Sequence, residues 1–184
     1  MKSSYYNLII ILLIAATSSS SFSSSSSTAS SWTDLVDRTC KLTPFYDLCI
    51  STLLNDPQSP SADTHGLAAI IASDLLQSAN NTLSSIQEMI SRSPPDPESE
   101  QPLAYCAEVY IPIVKYSLPQ SIEALEKGRY GFAVYGIADA EKGVQACEKR
   151  VEGAGGLDAV KSWNEAVREM ADVALSIIKV LQGN

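Results

Sequence analysis

His65 is the one histidine of a 184-residue chain, and that alone limits the chemistry the side chains can perform. A Ser or Cys nucleophile needs a base beside it, yet His65 stands alone at the start of an expected helix, next to Gly66, where a surface or capping residue belongs. General acid–base catalysis would need convergent carboxylates. Glu98 and Glu100 instead fall in a proline-rich stretch, and Asp139, Glu141, Glu148, Glu152, Glu165 and Glu169 take outward helix positions with Lys or Arg nearby, as solvated faces do. A phosphate cradle places glycines directly after a strand, whereas Gly153, Gly155 and Gly156 lie between helical segments. Nor do the four cysteines show the CxxC spacing of a zinc module. The expectation is a protein with no catalytic residue, no metal and no cofactor.

What remains is recognition. The segment KGRYGFAVY, residues 127–135, concentrates Tyr130, Phe132 and Tyr135 beside Arg129 at the junction of two expected helices. Aromatic and arginine side chains on a rigid turn make good anchors for a partner's cleft. Helical periodicity on its own favours a different use of Phe132 and Tyr135, as core at the start of the second of those helices.

The elements that must position this segment read as helices. From His65 to Ile90 the apolar residues Leu67, Ile70, Ile71, Leu75, Ala79, Leu83, Ile86 and Ile90 recur at spacings of three and four, one buried helical face. Asp63 or Thr64 can cap this helix, and Pro94-Pro95 stops it ahead of a polar loop to Gln101. A second helix is expected from about Pro102 to Lys127, with a bend or lost hydrogen bonding near Pro112 and Pro119 and Gly128 as its C-terminal cap. A third, Tyr130 to Arg150, turns Phe132, Val134, Ile137, Ala140, Val144 and Cys147 inward and is weakened by Gly131, Gly136 and Gly143. After a turn at Gly153 to Gly156, a fourth runs from Leu157 to Leu181. Four helices on short loops favour an up-and-down four-helix bundle, an all-α fold over residues 57–184. Residues 32–56, broken at Pro44, form an N-terminal α-helical hairpin extension, so that 32–184 make one domain.

Residues 1–31 stand apart. Lys2 precedes an unbroken apolar run from Leu8 to Ala16, about half of what a bilayer span needs. Small residues follow, and this is the pattern of a signal peptide, with cleavage between about Ala16 and Ser31. Eleven of the fourteen residues from Ser18 to Ser31 are serine, a leader that cannot bury apolar surface. In an oxidising compartment the four cysteines read as disulfides with three connectivities open, of which local pairing, Cys40 with Cys49 and Cys106 with Cys147, is favoured. The sequon Asn80-Asn81-Thr82 offers Asn80 for glycosylation, against the alternative of an unused chance match. The whole chain carries 13 Lys+Arg against 21 Asp+Glu, a net charge of -8. Removing residues 1–31 takes one lysine and no acid, leaving -9. Such a balance disfavours nucleic acid and anionic lipid as partners. The expected mature protein is a secreted monomer away from membranes.

The residues resemble a plant family, the invertase and pectin methylesterase inhibitors, over almost the whole mature chain. Thr39-Cys40-Lys41 through Thr43-Pro44 and Tyr46-Asp47-Leu48-Cys49, followed by Leu53-Leu54, looks like the family's disulfide-closed hairpin. Tyr105-Cys106-Ala107, the stretch Ser117 to Leu125 and Ala146-Cys147-Glu148 are most similar to its cell-wall and vacuolar invertase-inhibitor branch. The resemblance implies a four-helix bundle with a hairpin extension, cysteines paired first to second and third to fourth, and no catalytic activity. It implies as partner a plant acid invertase (β-fructofuranosidase), bound one to one with its active-site cleft blocked. In that branch a Pro-Lys-Phe element between the second and third bundle helices enters the cleft. The matching positions here look like Tyr130-Gly131-Phe132, with only the Phe retained and Arg129 as a substitute cation, so the resemblance marks Arg129, Tyr130, Gly131 and Phe132 as target-binding residues. The alternatives are inhibition of pectin methylesterase, through polar faces of the bundle helices, or a noncatalytic cell-wall protein that inhibits neither enzyme. The apoplast and cell wall are the expected location, with the vacuole as the alternative.

Overall fold

A computed structural model describes residues 26–92 and 97–183. Of the expected signal peptide and serine-rich leader, residues 1–31, positions 1–25 lie outside the described residues. Among the described residues seven α-helices follow one another: α1 (Ser26–Cys40), α2 (Tyr46–Asn55), α3 (Thr64–Arg92), α4 (Pro97–Pro112), α5 (Leu118–Glu126), α6 (Tyr130–Val151) and α7 (Asp158–Gln182). A short 3₁₀ turn, Ser59–Ser61, precedes α3, and a π-helical turn, Ile113–Ser117, joins α4 to α5. No strand occurs among the described residues.

The four-helix bundle consists of α3, the α4–α5 pair, α6 and α7. α3 and α6 each pack on both of the others, α7 and the α4–α5 pair, and so close the ring. Their buried faces follow the expected stripes: Leu67, Ile71, Leu75, Ala79 and Ile86 on α3, and Val160, Val167, Ala174, Ile177 and Ile178 on α7 are all shielded from solvent. Asp63 is the cap of α3, its Oδ1 accepting the Gly66 N–H at 2.8 Å and so satisfying a donor the helix itself cannot.

Two boundaries differ from the sequence expectation. α4 begins at Pro97, five residues before Pro102, so part of the expected loop is helix. Proline at a first helical position loses no bond, and Glu98 and Glu100 in the first turn oppose the helix's positive end. α1 likewise reaches back through residues 26–31 into the serine tract. Propagation from an existing helix is far easier than nucleation, and serine is only a moderately poor helix former.

The two prolines act where expected, through the π turn between them. Pro119 cannot donate to the carbonyl four residues earlier and its ring pushes against that group. Widening the helix by one residue accommodates both effects.

Two disulfides staple the assembly, Cys40–Cys49 within the α1–α2 hairpin and Cys106–Cys147 between α4 and α6. The hairpin is also clamped outside: Lys41 Nζ and Tyr46 Oη donate to Asp37 at 2.7 and 2.8 Å. Those donations hold the Asp37 carboxyl below its ordinary range. In the bundle interior the Tyr110 hydroxyl donates to Asn164 Oδ1 at 2.8 Å, and Asn164 Nδ2 contacts Cys147 Sγ at 3.2 Å. Burial pushes the Tyr110 hydroxyl pKa up, so it stays a neutral donor. This network ties α4, α6 and α7 in one register, and an apolar residue at Asn164 would leave a buried hydroxyl without an acceptor.

The glycines of α6 have a use that helix propensity hides. A Cβ at Gly136 would overlap Ser121 Oγ and stand 3.0 Å from the Ser117 carbonyl oxygen; one at Gly143 would stand 2.8 Å from Ile113 Cδ1. Gly136 and Gly143 are two turns apart on one face, and they let α6 approach the π turn and α5 closely. Ser121 cannot turn away freely, because its hydroxyl donates to that same carbonyl at 2.6 Å. Gly136→Val is therefore expected to lower stability by about 2 kcal/mol, the usual scale of overpacking. Gly131→Ala, with only the Gln182 amide 3.7 Å away, should be neutral or stabilising. Thermal denaturation of the two variants checks this, and equal melting temperatures would remove the close-approach explanation.

Candidate target-binding ridge

The turn between α5 and α6 is built by a glycine in the left-handed region. Gly128 has φ +66°, its N–H donates to Leu125 O at 2.8 Å, and the Arg129 N–H donates to Ala124 O at 2.8 Å. This pair of bonds is a Schellman motif, which closes one helix and throws the chain outward. Arg129 then starts the next helix, its carbonyl accepting from Phe132 N at 3.0 Å and Ala133 N at 3.2 Å. Arg129 is thus held by backbone bonds on both sides while its side chain is in solvent.

Phe132 is 70% exposed and Tyr135 is 73% exposed, which corrects the inward placement of Phe132 and the core role that periodicity favours for both. The buried stripe of α6 is Ala133, Ile137, Ala140, Val144, Cys147 and Val151. Phe132 lies one residue, about 100°, off that stripe. On the buried side, α6 comes close to α5 at Gly136, and Ala133 is fully shielded from solvent. The Arg129 guanidinium lies over the Phe132 ring, 5.9 Å from its centroid, a cation–π contact that presents both groups together. Gly131 is exposed between them, and Tyr130 is half-buried against the core. All four residues marked by sequence therefore sit on one turn. Phe132 and Arg129 protrude, and Tyr130 anchors.

Beside the ridge runs a shallow groove of about 370 Å³ between α5 and α6, lined by Gln120, Phe132, Tyr135 and Asp139 among others. Ser117 Oγ donates to Asp139 Oδ2 across it at 3.2 Å. Lys127 pairs with Glu123 and holds that carboxyl below its ordinary range. Arg129 pairs with no carboxylate among the described residues. Its charge acts on Glu123 without a direct ion pair, and its guanidinium is exposed beside the Phe132 ring.

His65 is not the solvated cap the sequence suggests. It is half-buried, and its Nε2 lies 2.8 Å from Leu125 O, so that nitrogen carries the proton and donates. Its ring also meets the Tyr130 ring edge-on, with centroids 6.0 Å apart. No spacing rule could find this contact, which joins residues 60 positions apart. Gly136, by contrast, had a signal: its seven-residue spacing from Gly143 places both on one helix face.

Elsewhere, Asn80 is exposed on α3, while Thr82 of the same sequon is buried with its hydroxyl donating to Ser78 O at 3.0 Å. Among the described residues no group of three His, Cys, Asp or Glu could hold a metal ion. No described helix is long and apolar enough to cross a membrane.

The sequence profile described as plant invertase/pectin methylesterase inhibitor matches residues 34–177. The cell wall / vacuolar inhibitor of fructosidase 1 of Arabidopsis thaliana is 32% identical over 78% of this chain and 67% of its own length. Inhibitor of fructosidase 2 from the same plant is 30% identical over 81% of this chain and 84% of its own length. The crystal structure of mutant form A of a pectin methylesterase inhibitor from Arabidopsis superposes with a TM-score of 0.66 at 21% identity, covering 76% of this chain and 92% of that one. That likeness concerns the fold.

Proposed function

Because the chain belongs to the plant invertase/pectin methylesterase inhibitor family, we propose that it is a secreted, noncatalytic inhibitor of a plant acid invertase. It binds its target one to one and blocks the active-site cleft with the turn that carries Arg129 and Phe132. The observation that carries this reading is the pairing of an exposed guanidinium with a 70%-exposed phenyl ring on a backbone-locked turn. An apolar-rimmed cleft with carboxylates at its base is complementary to that pair in shape and charge. The fructosidase-inhibitor relatives support an invertase over other targets.

The experiment is to mix the purified protein with cell-wall or vacuolar invertase at mildly acidic pH and follow sucrose hydrolysis. Activity should fall to zero near equimolar inhibitor. Full activity at a clear molar excess would end the proposal. A parallel assay against pectin methylesterase tests the second reading, which Gly131 favours: it presents no side chain where the resemblance places the cleft-entering Lys. Silence in both assays would indicate a cell-wall protein of another kind.

Association should be tighter below pH 6 than above pH 7. The mature chain is strongly acidic, and each carboxylate that takes up a proton at an acidic interface removes a repulsion. Glu123 does not contribute, because the Lys127 bond keeps it ionised further into acid. Titration calorimetry across this range checks the sign, and a flat profile would exclude charge as the control.

A further inference from the structure

The lone histidine sits where it can hold the recognition turn from two sides, and nothing in catalysis or metal binding claims it. The Leu125 carbonyl receives two donors, the Gly128 N–H that closes the Schellman turn and the Nε2–H of His65. A carbonyl oxygen has two lone pairs, so both bonds form together. His65 belongs to the first turn of α3, whose start is itself fixed by the Asp63 cap one residue before Thr64. The bond therefore links the last turn of α5 to an anchored helix end on a different part of the bundle. On the far side of the turn, the Tyr130 ring lies edge-on to the imidazole at 6.0 Å. One side chain thus touches the residue three before Gly128 and the residue two after it.

We infer that His65 is a positioning residue for the target-binding turn, a latch that fixes the direction in which Arg129 and Phe132 protrude. The inference rests on the reading of that turn as the binding element. A Schellman turn fixes its own backbone, but not its orientation relative to the bundle. α5 is short, nine residues, and follows the π turn, where the helical hydrogen-bond register is loosest. A tie at its C-terminal end removes the hinge motion that such a helix would otherwise allow.

The test compares the wild-type protein with His65→Leu and His65→Gln. Leucine keeps the bulk without the donor, and glutamine places an amide Nε2–H at a similar reach. Hydrogen–deuterium exchange of the peptide spanning residues 126–134, followed by mass spectrometry on the isolated inhibitor, reads the latch without any enzyme. His65→Leu should exchange there about tenfold faster, and its inhibition constant for invertase should rise about fivefold through a faster dissociation rate. His65→Gln should return both to within about twofold of wild type, while melting temperatures stay close. Unchanged exchange in His65→Leu overturns the latch, and so does glutamine that fails to rescue it. If the wild-type protein inhibits no invertase, the functional reading fails by itself, and the exchange comparison still decides the role of His65.

Discussion

Phe132→Ala should raise the inhibition constant tenfold or more and leave the melting temperature unchanged. The two halves of that result have different origins. Stability should not move because the ring is 70% exposed and the buried stripe beside it runs through Ala133. Truncation removes no core contact and leaves no cavity. Affinity should fall because a phenyl ring seated in a cleft loses water from nearly its whole surface, worth roughly 1.5–3 kcal/mol on full burial. A tenfold change is about 1.4 kcal/mol, just below the bottom of that range, so a well-seated ring meets it. The loss is compounded because the ring also supports the Arg129 guanidinium, 5.9 Å from its centroid. Without the ring, a long flexible cation must be ordered on binding, which costs about 1 kcal/mol in side-chain freedom. Steady-state inhibition of invertase alongside circular dichroism measures both halves. An unchanged inhibition constant in a folded Phe132→Ala protein would remove Phe132 from the interface.

The largest stability effect is expected from the bundle disulfide. Replacing Cys106 and Cys147 together by Ala should lower stability by about 4 kcal/mol, against about 2.5 kcal/mol for Cys40 and Cys49, from the loop-closure entropy of the unfolded chain. The difference follows from sequence separations of 41 and 9. Local contacts add to it in the same direction. The Cys106–Cys147 bridge lies wholly within the bundle interior, and Cys147 Sγ is the contact of the Asn164 amide, which in turn accepts from Tyr110. Losing the sulfur therefore unsettles a buried network as well as a staple. For a domain of this size, 4 kcal/mol corresponds to roughly 10 °C in melting temperature. Differential scanning calorimetry of the two double variants gives the order directly. A greater loss from the hairpin pair would mean that the hairpin, and not the bundle, limits stability.

The sequence could be read well where the governing physics is local. Periodicity of three and four placed the stripes of α3 and α7, because a helix turns by about 100° per residue whatever surrounds it. Asp63, Gly128 and the two prolines marked ends and a break through bonds made or missing within a few residues. The segment 129–132 could be singled out by composition and resemblance together. Its orientation could not. Assigning Phe132 to the core was reasonable on hydrophobicity, and it failed because the buried stripe of α6 runs through Ala133 and Ile137, which leaves Phe132 turned to solvent.

By itself the sequence determined an all-helical chain, the Asp63 start of α3, the Gly128 end of α5 and the turn that carries an arginine beside aromatics. Each of these is decided by backbone geometry and short-range hydrogen bonding, which neighbouring residues specify. Only the tertiary structure decided that Phe132 lies off the buried face of α6, which carbonyl receives the His65 proton, and that Asn164 lies inside. Those outcomes depend on distances between helices, set by the combined volumes of side chains far apart in sequence, such as Gly136 against Ser121 and His65 against Leu125. Close packing resolves one residue's shift around a helix into the difference between a core phenylalanine and an exposed one.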